Sequence, residues 1–329
     1  MSTRTAPTDK LLDVRDLRVA VDIRDRRLPI IKGVSLALRK GETLGIVGES
    51  GAGKSVFGSA VAGLLELPIL KTGGEVYLHG NRIDNLTGEK MRRLRGADIG
   101  MVFQDPLTSL DPLFTVGDQL VETIRTHKNL SRKEARARAL ALLKETGIPA
   151  AERRIDDYPH QFSGGMRQRV VLALALCADP KLVIADEPTT ALDVSVQAQI
   201  IRLLGRLCRE HGTSVILITH DMGVIAEACD NVAVMYAGRV VEYGPTRDII
   251  RNPRHPYTRG LMASIPPLDA RPDRLNQIDG AMPRVGLDIA GCAFRAHCPV
   301  AMDRCRNDIP ELIGDVTWAS ACWLEEETA

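Results

Sequence analysis

The stretch GESGAGKS, residues 48–55, decides how the rest of the chain is read. It follows the apolar run TLGIV (43–47) and leads into SVFGSAVAGLL (55–65), which reads as a helix. A glycine-rich turn between a buried strand and a helix is the setting that a phosphate-binding loop requires. Gly48, Gly51 and Gly53 let the backbone turn its N–H groups inward, and the helix N-terminus adds positive potential. The predicted loop runs through Gly48, Glu49, Ser50, Gly51, Ala52, Gly53, Lys54, Ser55 and Val56. In it Lys54 reaches the β- and γ-phosphates of a nucleoside triphosphate, and the Ser55 hydroxyl ligates Mg²⁺.

Such a site needs an acid at the end of a second buried strand, and LVIADEP (182–188) supplies one. Asp186 is placed to hold the Mg²⁺ shell, and Glu187 to polarise the water that attacks the terminal phosphate. Working outward, residues 11–47 alternate apolar and polar positions, the period of half-buried strands. From Thr108 to Ala178 the pattern turns helical: SRKEARARALALLKETG spaces Leu and Ala for one helix, and GGMRQRVVLALALCADP forms a second that ends before Pro180. Short apolar runs then return between helices, as KLVIAD, TSVILITH and NVAVMYAGRVVEYG. The expected class is α/β, a mostly parallel sheet covered by helices.

Bulk properties narrow the functions. With 44% hydrophobic residues the 329-residue chain can build a sizeable core, and a formal net charge of +1 sets up no global field for nucleic acid or anionic lipid. The N-terminal MSTRTAPTDK has no apolar leader, and the longest apolar run, Val170–Ala178, is far short of the roughly 20 residues of a membrane helix. A cytosolic chain is expected, one that can dock on a membrane protein. Of seven cysteines, Cys177, Cys208 and Cys229 stand alone in apolar or helical surroundings and read as core filler.

Between the two halves of the phosphate site lies FSGGMRQR (162–169), which resembles the signature motif of ATP-binding-cassette ATPases. Around it, in that family's order, Gln104 of MVFQDP matches the Q-loop, Asp193 of ALD the D-loop and His220 of LITHD the switch histidine. The resemblance implies a P-loop NTPase cassette: a RecA-like core, an antiparallel β-subdomain and an inserted helical subdomain. It also implies that ATP is sandwiched between two cassettes, so that Ser163, Gly164, Gly165 and Met166 face the γ-phosphate held by a partner. Gln104 then senses Mg²⁺ and couples to a transmembrane partner, and His220 contacts the γ-phosphate. Ser163 also suits the N-cap of the helix that follows. Two departures stand out: Met166 replaces the usual Gln, and no aromatic lies near Val21 to stack on adenine, which leaves aliphatic surface or the guanidinium of Arg24, Arg26 or Arg27.

Finer likeness in YPHQFSGGMRQR, GPTRDIIRNPRHPYTRGLMASIP and the cysteine tail is to the ATPase subunits of bacterial dipeptide and oligopeptide importers. It implies two permease subunits, a second homologous ATPase and an extracytoplasmic binding protein as partners, no nucleic acid, and a peripheral place on the cytoplasmic face of the inner membrane. These readings divide the chain into a cassette at 8–258, with core at 8–104 and 176–258 and helical subdomain at 105–175, and an extension at 259–329. The extension holds a linker at 265–291 and a small cysteine-rich lobe at 292–323. Cys292, Cys298, Cys305 and Cys322 suit one four-coordinate soft-metal site, and His297 stands beside them as a substitute ligand. The family resemblance favours a four-iron four-sulfur cluster there, with zinc as the alternative. Two rival functions are a redox- or metal-sensing ATPase gated by that tail, and an ATPase acting on ribosomes or DNA. A single phosphate loop, the lack of sustained heptads and the lack of a basic stripe count against the latter.

Overall fold

The chain begins with three strands, β1 (Lys10–Ile23), β2 (Arg26–Arg39) and β3 (Thr43–Val47), in which buried and exposed positions alternate until β3 becomes wholly apolar. In the computed structural model the described residues are 9–190, 192–264, 278, 280–287, 289–315 and 317–328. After β3 come α1 (Lys54–Val61), β4 (Ile69–Leu78), β5 (Asn81–Arg82), α2 (Gly88–Ala97) and β6 (Ile99–Val102). Helices α3 (Val116–His127), α4 (Arg132–Glu145), α5 (Ala151–Arg154) and α6 (Gly164–Leu176) follow. Next are β7 (Leu182–Asp186), α7 (Val194–His211), β8 (Ser214–Thr219), α8 (Met222–Ala228), β9 (Asn231–Tyr236), β10 (Arg239–Pro245), α9 (Thr246–Arg251) and α10 (Pro256–Ala263). The tail adds β11 (Ile313–Gly314), β12 (Ala319–Ser320) and α11 (Leu324–Thr328). Helix α1 is shorter than its apolar run suggests, because Gly63 turns left-handed at φ 64° and the Leu64 N–H closes back on Ser59.

Two compact units share the chain. The first comprises Met1–Asp13, Ala37–Thr43 and Tyr77–Leu217. In it β6 and β7 pair in parallel, Ile99 opposite Leu182 and Val102 opposite Ala185. Helix α3 buries Val116, Leu120, Val121 and Ile124 along one stripe, and α4 buries Ala135, Ala139, Leu142 and Leu143. A capping box starts α4: the Ser131 hydroxyl accepts the Glu134 N–H while the Glu134 carboxylate accepts the Ser131 N–H, worth about 1 kcal/mol.

The second unit comprises Val14–Leu36, Leu44–Val76 and Ile218–Ala329. Here β3 runs parallel to β9, with Leu44 opposite Asn231 and Val47 opposite Val234. A tight turn at Ala237 and Gly238, both left-handed, returns the chain as antiparallel β10. On its far side β10 pairs with β12, Glu242 opposite Ser320 and Tyr243 opposite Ala319, and β12 pairs with β11. The cysteine-bearing residues expected as a lobe at 292–323 fall within the unit that carries GESGAGKS. The cause is physical. An open β10 edge recruits β12, and the apolar Phe294 buries itself in the core of Val47, Val234, Tyr236 and Tyr257. Of the expected linker, residues 265–277, 279 and 288 lie outside the described residues.

A buried polar junction fixes this arrangement. Glu242 accepts the backbone N–H groups of Arg254 (2.8 Å) and His255 (3.0 Å) and the Trp318 indole N–H (3.1 Å). A buried carboxylate costs several kcal/mol unless bonded in this way. His255 is itself buried, and its Nδ1 accepts the Tyr257 N–H at 3.0 Å to cap α10. Burial pulls the His255 imidazole down from 6.5 to about 3, against the opposing pull of the Ala321 carbonyl and with help from Arg259. The unfolded chain thus takes up this proton near pH 6.5, whereas the folded chain does so only near 3. Stability contributed by neutral His255 is lost as pH falls through that window, at up to about 1.4 kcal/mol per pH unit. Urea melts between pH 7 and 4 should show this slope in the wild type and a shallower one in His255→Asn, which keeps a capping acceptor. Equal slopes would remove His255 as the cause.

Candidate nucleotide site

The loop between β3 and α1 is closed on itself and braced from behind. The buried Lys54 ammonium donates to the carbonyls of Gly48 (2.8 Å) and Glu49 (3.1 Å), folding over the turn. The Gly238 N–H donates to the Ala52 carbonyl at 3.0 Å, and the Gly238 carbonyl accepts the Lys32 N–H at 2.9 Å, so the β9–β10 turn supports the loop. Gly48 sits at φ 156°, and a Cβ there would run into the Met235 carbonyl oxygen. Ser50, Gly51 and Ser55 are exposed on the open side, Glu49, Gly53 and Val56 are half-buried, and Ala52 is buried. A glycine-rich turn at a helix start is the backbone setting in which an anion can be cradled, although here the Ala52 N–H is already given to the Glu49 carbonyl at 3.2 Å. His220, exposed just after β8, lies in this same unit.

The first unit carries the remaining motif residues. Glu187 follows β7 and adopts φ 45°, a left-handed conformation uncommon for a residue with a side chain. Its Oε2 accepts from Thr190 Oγ1 at 2.9 Å and from the Gln104 amide at 3.4 Å. Gln104 and Glu187, 83 residues apart in sequence, are thus brought together. Asp186 ends β7, half-buried. Ser163 N-caps α6 by accepting the Met166 N–H at 3.4 Å, and Ser163 and Gly164 are exposed at that helix start. Gly165 is half-buried, and a Cβ there would press on Val196 Cγ1 at 2.9 Å. Asp193 caps α7: its carboxylate accepts the Val196 N–H (3.0 Å) and the Ser195 hydroxyl (2.8 Å), bonds that hold it below the usual carboxylate range. Sequence reasoning missed Thr190, signalled only by its place three residues after Glu187. It also missed Tyr257, whose hydroxyl accepts the Glu49 N–H at 3.0 Å.

Residues 31–190 match the family model for ABC transporters, and residues 241–305 match the model for the oligopeptide/dipeptide transporter C-terminal region. The dipeptide transport ATP-binding protein DppD of Bacillus subtilis (strain 168) is 47% identical over 323 residues, spanning 98% of this chain and 96% of its own. The chain belongs to the ABC transporter family. Its ATP-binding subunits are ATPases, and this chain is one of them. The oligopeptide transport ATP-binding protein OppD of Escherichia coli (strain K12) is likewise 47% identical, over 94% of this chain and 93% of its own. Among solved structures, the dimeric structure of MJ0796, a bacterial ABC transporter cassette, aligns at TM-score 0.64 and 31% identity over 72% of this chain and 99% of that one. The same cassette in a post-hydrolysis dimer bound to ADP and Pi aligns at 0.64 and 30%.

Near Val21, the N–H edge of the Arg27 guanidinium is engaged by the Asp22 carboxylate at 2.8 and 2.9 Å. One expectation needs correction within this ABC fold, in the tail. Cys292, Cys298, Cys305 and Cys322 line one small cavity with Met302 and Trp323, and all are free thiols. Burial pushes Cys322 up to about 11, and the other three thiols push it the same way, as near neighbours do. Yet among the described residues no three Cys, His, Asp or Glu side chains converge closely enough to hold a metal ion. The compact tetrahedron that zinc demands is not formed among them.

Gly48→Ala provides the test of the loop geometry. The strained backbone and the Met235 clash should cost roughly 1–3 kcal/mol in the loop's conformation, lowering ATP affinity by about tenfold or more with little change in the melting of the remaining fold. Equilibrium binding of a fluorescent ATP analogue measures it, and wild-type affinity would show that the loop does not depend on Gly48.

Proposed function

We propose that this ABC ATPase hydrolyses ATP to drive import of peptides or related small solutes through a membrane permease. The observation that carries the reading is the join of two matches on one chain, the ABC transporter model and the oligopeptide/dipeptide transporter C-terminal model. It is supported by near-full-length identity to proteins named for dipeptide and oligopeptide transport. Two transmembrane permease subunits, a second homologous ATPase and an extracytoplasmic binding protein complete the proposed complex, with this chain peripheral at the cytoplasmic face. Among the described residues no helix is long and apolar enough to cross a membrane, so the path for solute falls to partners. Nothing in the structure favours a redox- or metal-sensing ATPase, or one acting on ribosomes or DNA. The division into a cassette at 8–258 and an extension at 259–329 is part of this proposal.

The residue roles follow from their chemistry. The loop Gly48–Val56 takes the phosphates on N–H groups other than that of Glu49, which is given to Tyr257, and Lys54 turns from the loop's carbonyls to the β- and γ-phosphates. Ser55, Asp186 and Gln104 are oxygen donors of the kind Mg²⁺ takes, and that ion, when bound, neutralises phosphate charge. Glu187 accepts a proton from the attacking water, aimed by Thr190 and Gln104, while His220 steadies the γ-phosphate. Ser163, Gly164, Gly165 and Met166, with Asp193, form the face offered to the nucleotide of the second cassette. The dimeric solved relatives support that sharing. Finally, convergence of four free cysteines on one cavity supports a four-iron four-sulfur cluster, which spaces its thiolates more widely than a single ion does.

Glu187→Gln should keep ATP binding but hydrolyse at least about 10² times more slowly, the contribution of a positioned general base. Single-turnover assays decide this, and near-normal turnover would remove Glu187 from the reaction. For the tail, anaerobically purified protein should carry about four irons per chain. Iron at background levels would reject the cluster, whether or not zinc is found.

A further inference from the structure

Tyr257 joins the phosphate loop to the cysteine-bearing segment. Its ring is fully buried, 4.6 Å from Tyr236 at 61° and 5.4 Å from Phe294 at 61°, while Tyr236 and Phe294 meet edge-on at 5.3 Å. Phe294 is 3% exposed and stands two residues after Cys292. At its backbone Tyr257 is fixed by His255 Nδ1, and the His255 N–H is held in turn by buried Glu242. The hydroxyl at the other end of the ring accepts the Glu49 N–H at 3.0 Å.

We propose that Tyr257 is a positioning residue for nucleotide binding: its hydroxyl holds the phosphate loop through Glu49, and the Phe294 ring holds Tyr257 in place to do so. A phenylalanine would fill the same core volume, so packing alone does not call for the hydroxyl. A buried hydroxyl is costly unless bonded, and this one accepts its hydrogen bond from the loop itself. The Glu49 N–H, spent on Tyr257, is not a phosphate donor, so Tyr257 acts on the shape of the loop and not on the ligand. Edge-on contacts with two rings fix the tilt of the phenol, and therefore the point in space to which Glu49 is tied. Through Phe294 the order of the cysteine-bearing segment enters the affinity for ATP.

The proposal rests on the nucleotide reading of the loop, and the test separates the two. Full-length wild type, Tyr257→Phe, Phe294→Leu, Phe294→Tyr, the Tyr257→Phe/Phe294→Leu double variant and Lys54→Ala are compared by binding of a fluorescent ATP analogue, steady-state ATPase kinetics and thermal melting. Loss of one hydrogen bond to the loop should raise the Kd and KM of Tyr257→Phe about 3- to 10-fold while kcat stays within about twofold. Phe294→Leu should raise Kd in the same direction, Phe294→Tyr should restore it, and the double variant should be no weaker than Tyr257→Phe alone, because both act through one bond. A purely structural role would lower the melting temperature and the active fraction, cutting kcat and leaving KM unchanged. Wild-type affinity in Tyr257→Phe beside lost binding in Lys54→Ala would overturn the proposal, as would independent, multiplying effects in the double variant. Normal binding by Lys54→Ala would overturn the nucleotide reading beneath it.

Discussion

The structure depends on keeping one backbone turn in a shape that the chain does not prefer. Gly48, Gly51 and Gly53 sit at φ 156°, 88° and 99°, so the loop has no conformational preference of its own to hold it. Its hold comes from elsewhere. Lys54 bonds two carbonyls from inside, the β9–β10 turn bonds Ala52 from beneath, and Tyr257 bonds Glu49 from a segment 208 residues downstream. Each bond contributes about 1 kcal/mol net, comparable to the ordering cost of a single residue, so several are needed to keep the turn formed before a phosphate arrives.

The parts of this arrangement that were legible in the sequence are those with local causes. The TLGIV strand, the α4 helix and the α6 helix with its Ser163 cap appear where pattern and capping residue put them. The run NVAVMYAGRVVEYG, read as part of a mostly parallel sheet, instead turns back on itself as the antiparallel pair β9 and β10. Helix α3 was not singled out, because its start at Thr115 follows a run of turn residues and its apolar stripe is interrupted by Asp118 and Gln119. Gln104 and Glu187 were each recognised, but their contact joins residues 83 apart, and no periodicity encodes that. Thr190 and Tyr257 went unnoticed for the same reason: their function lies in a single long-range or turn hydrogen bond, made by residue types that occur everywhere.

Crowded cysteines make the tail read as a small metal-held lobe. What the count of cysteines hides is the apolar content between them. Phe294 and Trp323 are buried and Trp318 is half-buried, Trp318 beneath the Arg254 guanidinium at 3.8 Å and Trp323 beneath that of Arg304 at 3.5 Å. Two aromatic–cation stacks, a β12 strand on the β10 edge and the bond from Ala321 N–H to the Val241 carbonyl at 2.8 Å supply order by ordinary means. Short strands of two residues would not persist alone, and they persist here because they complete a sheet that already exists.

Glu187 illustrates the opposite balance, where chemistry overrides local comfort. Its φ of 45° costs roughly 1–2 kcal/mol for a residue with a Cβ, and glycine would adopt it freely. Glycine, however, has no carboxylate to receive the Thr190 hydroxyl and the Gln104 amide. Relaxing the backbone to an extended conformation would swing the carboxylate away from both partners, because the side chain leaves the Cα in a direction set by φ and ψ. The strain is therefore the cost of aiming the acid from the end of β7, and the two hydrogen bonds, together worth a similar amount, offset it.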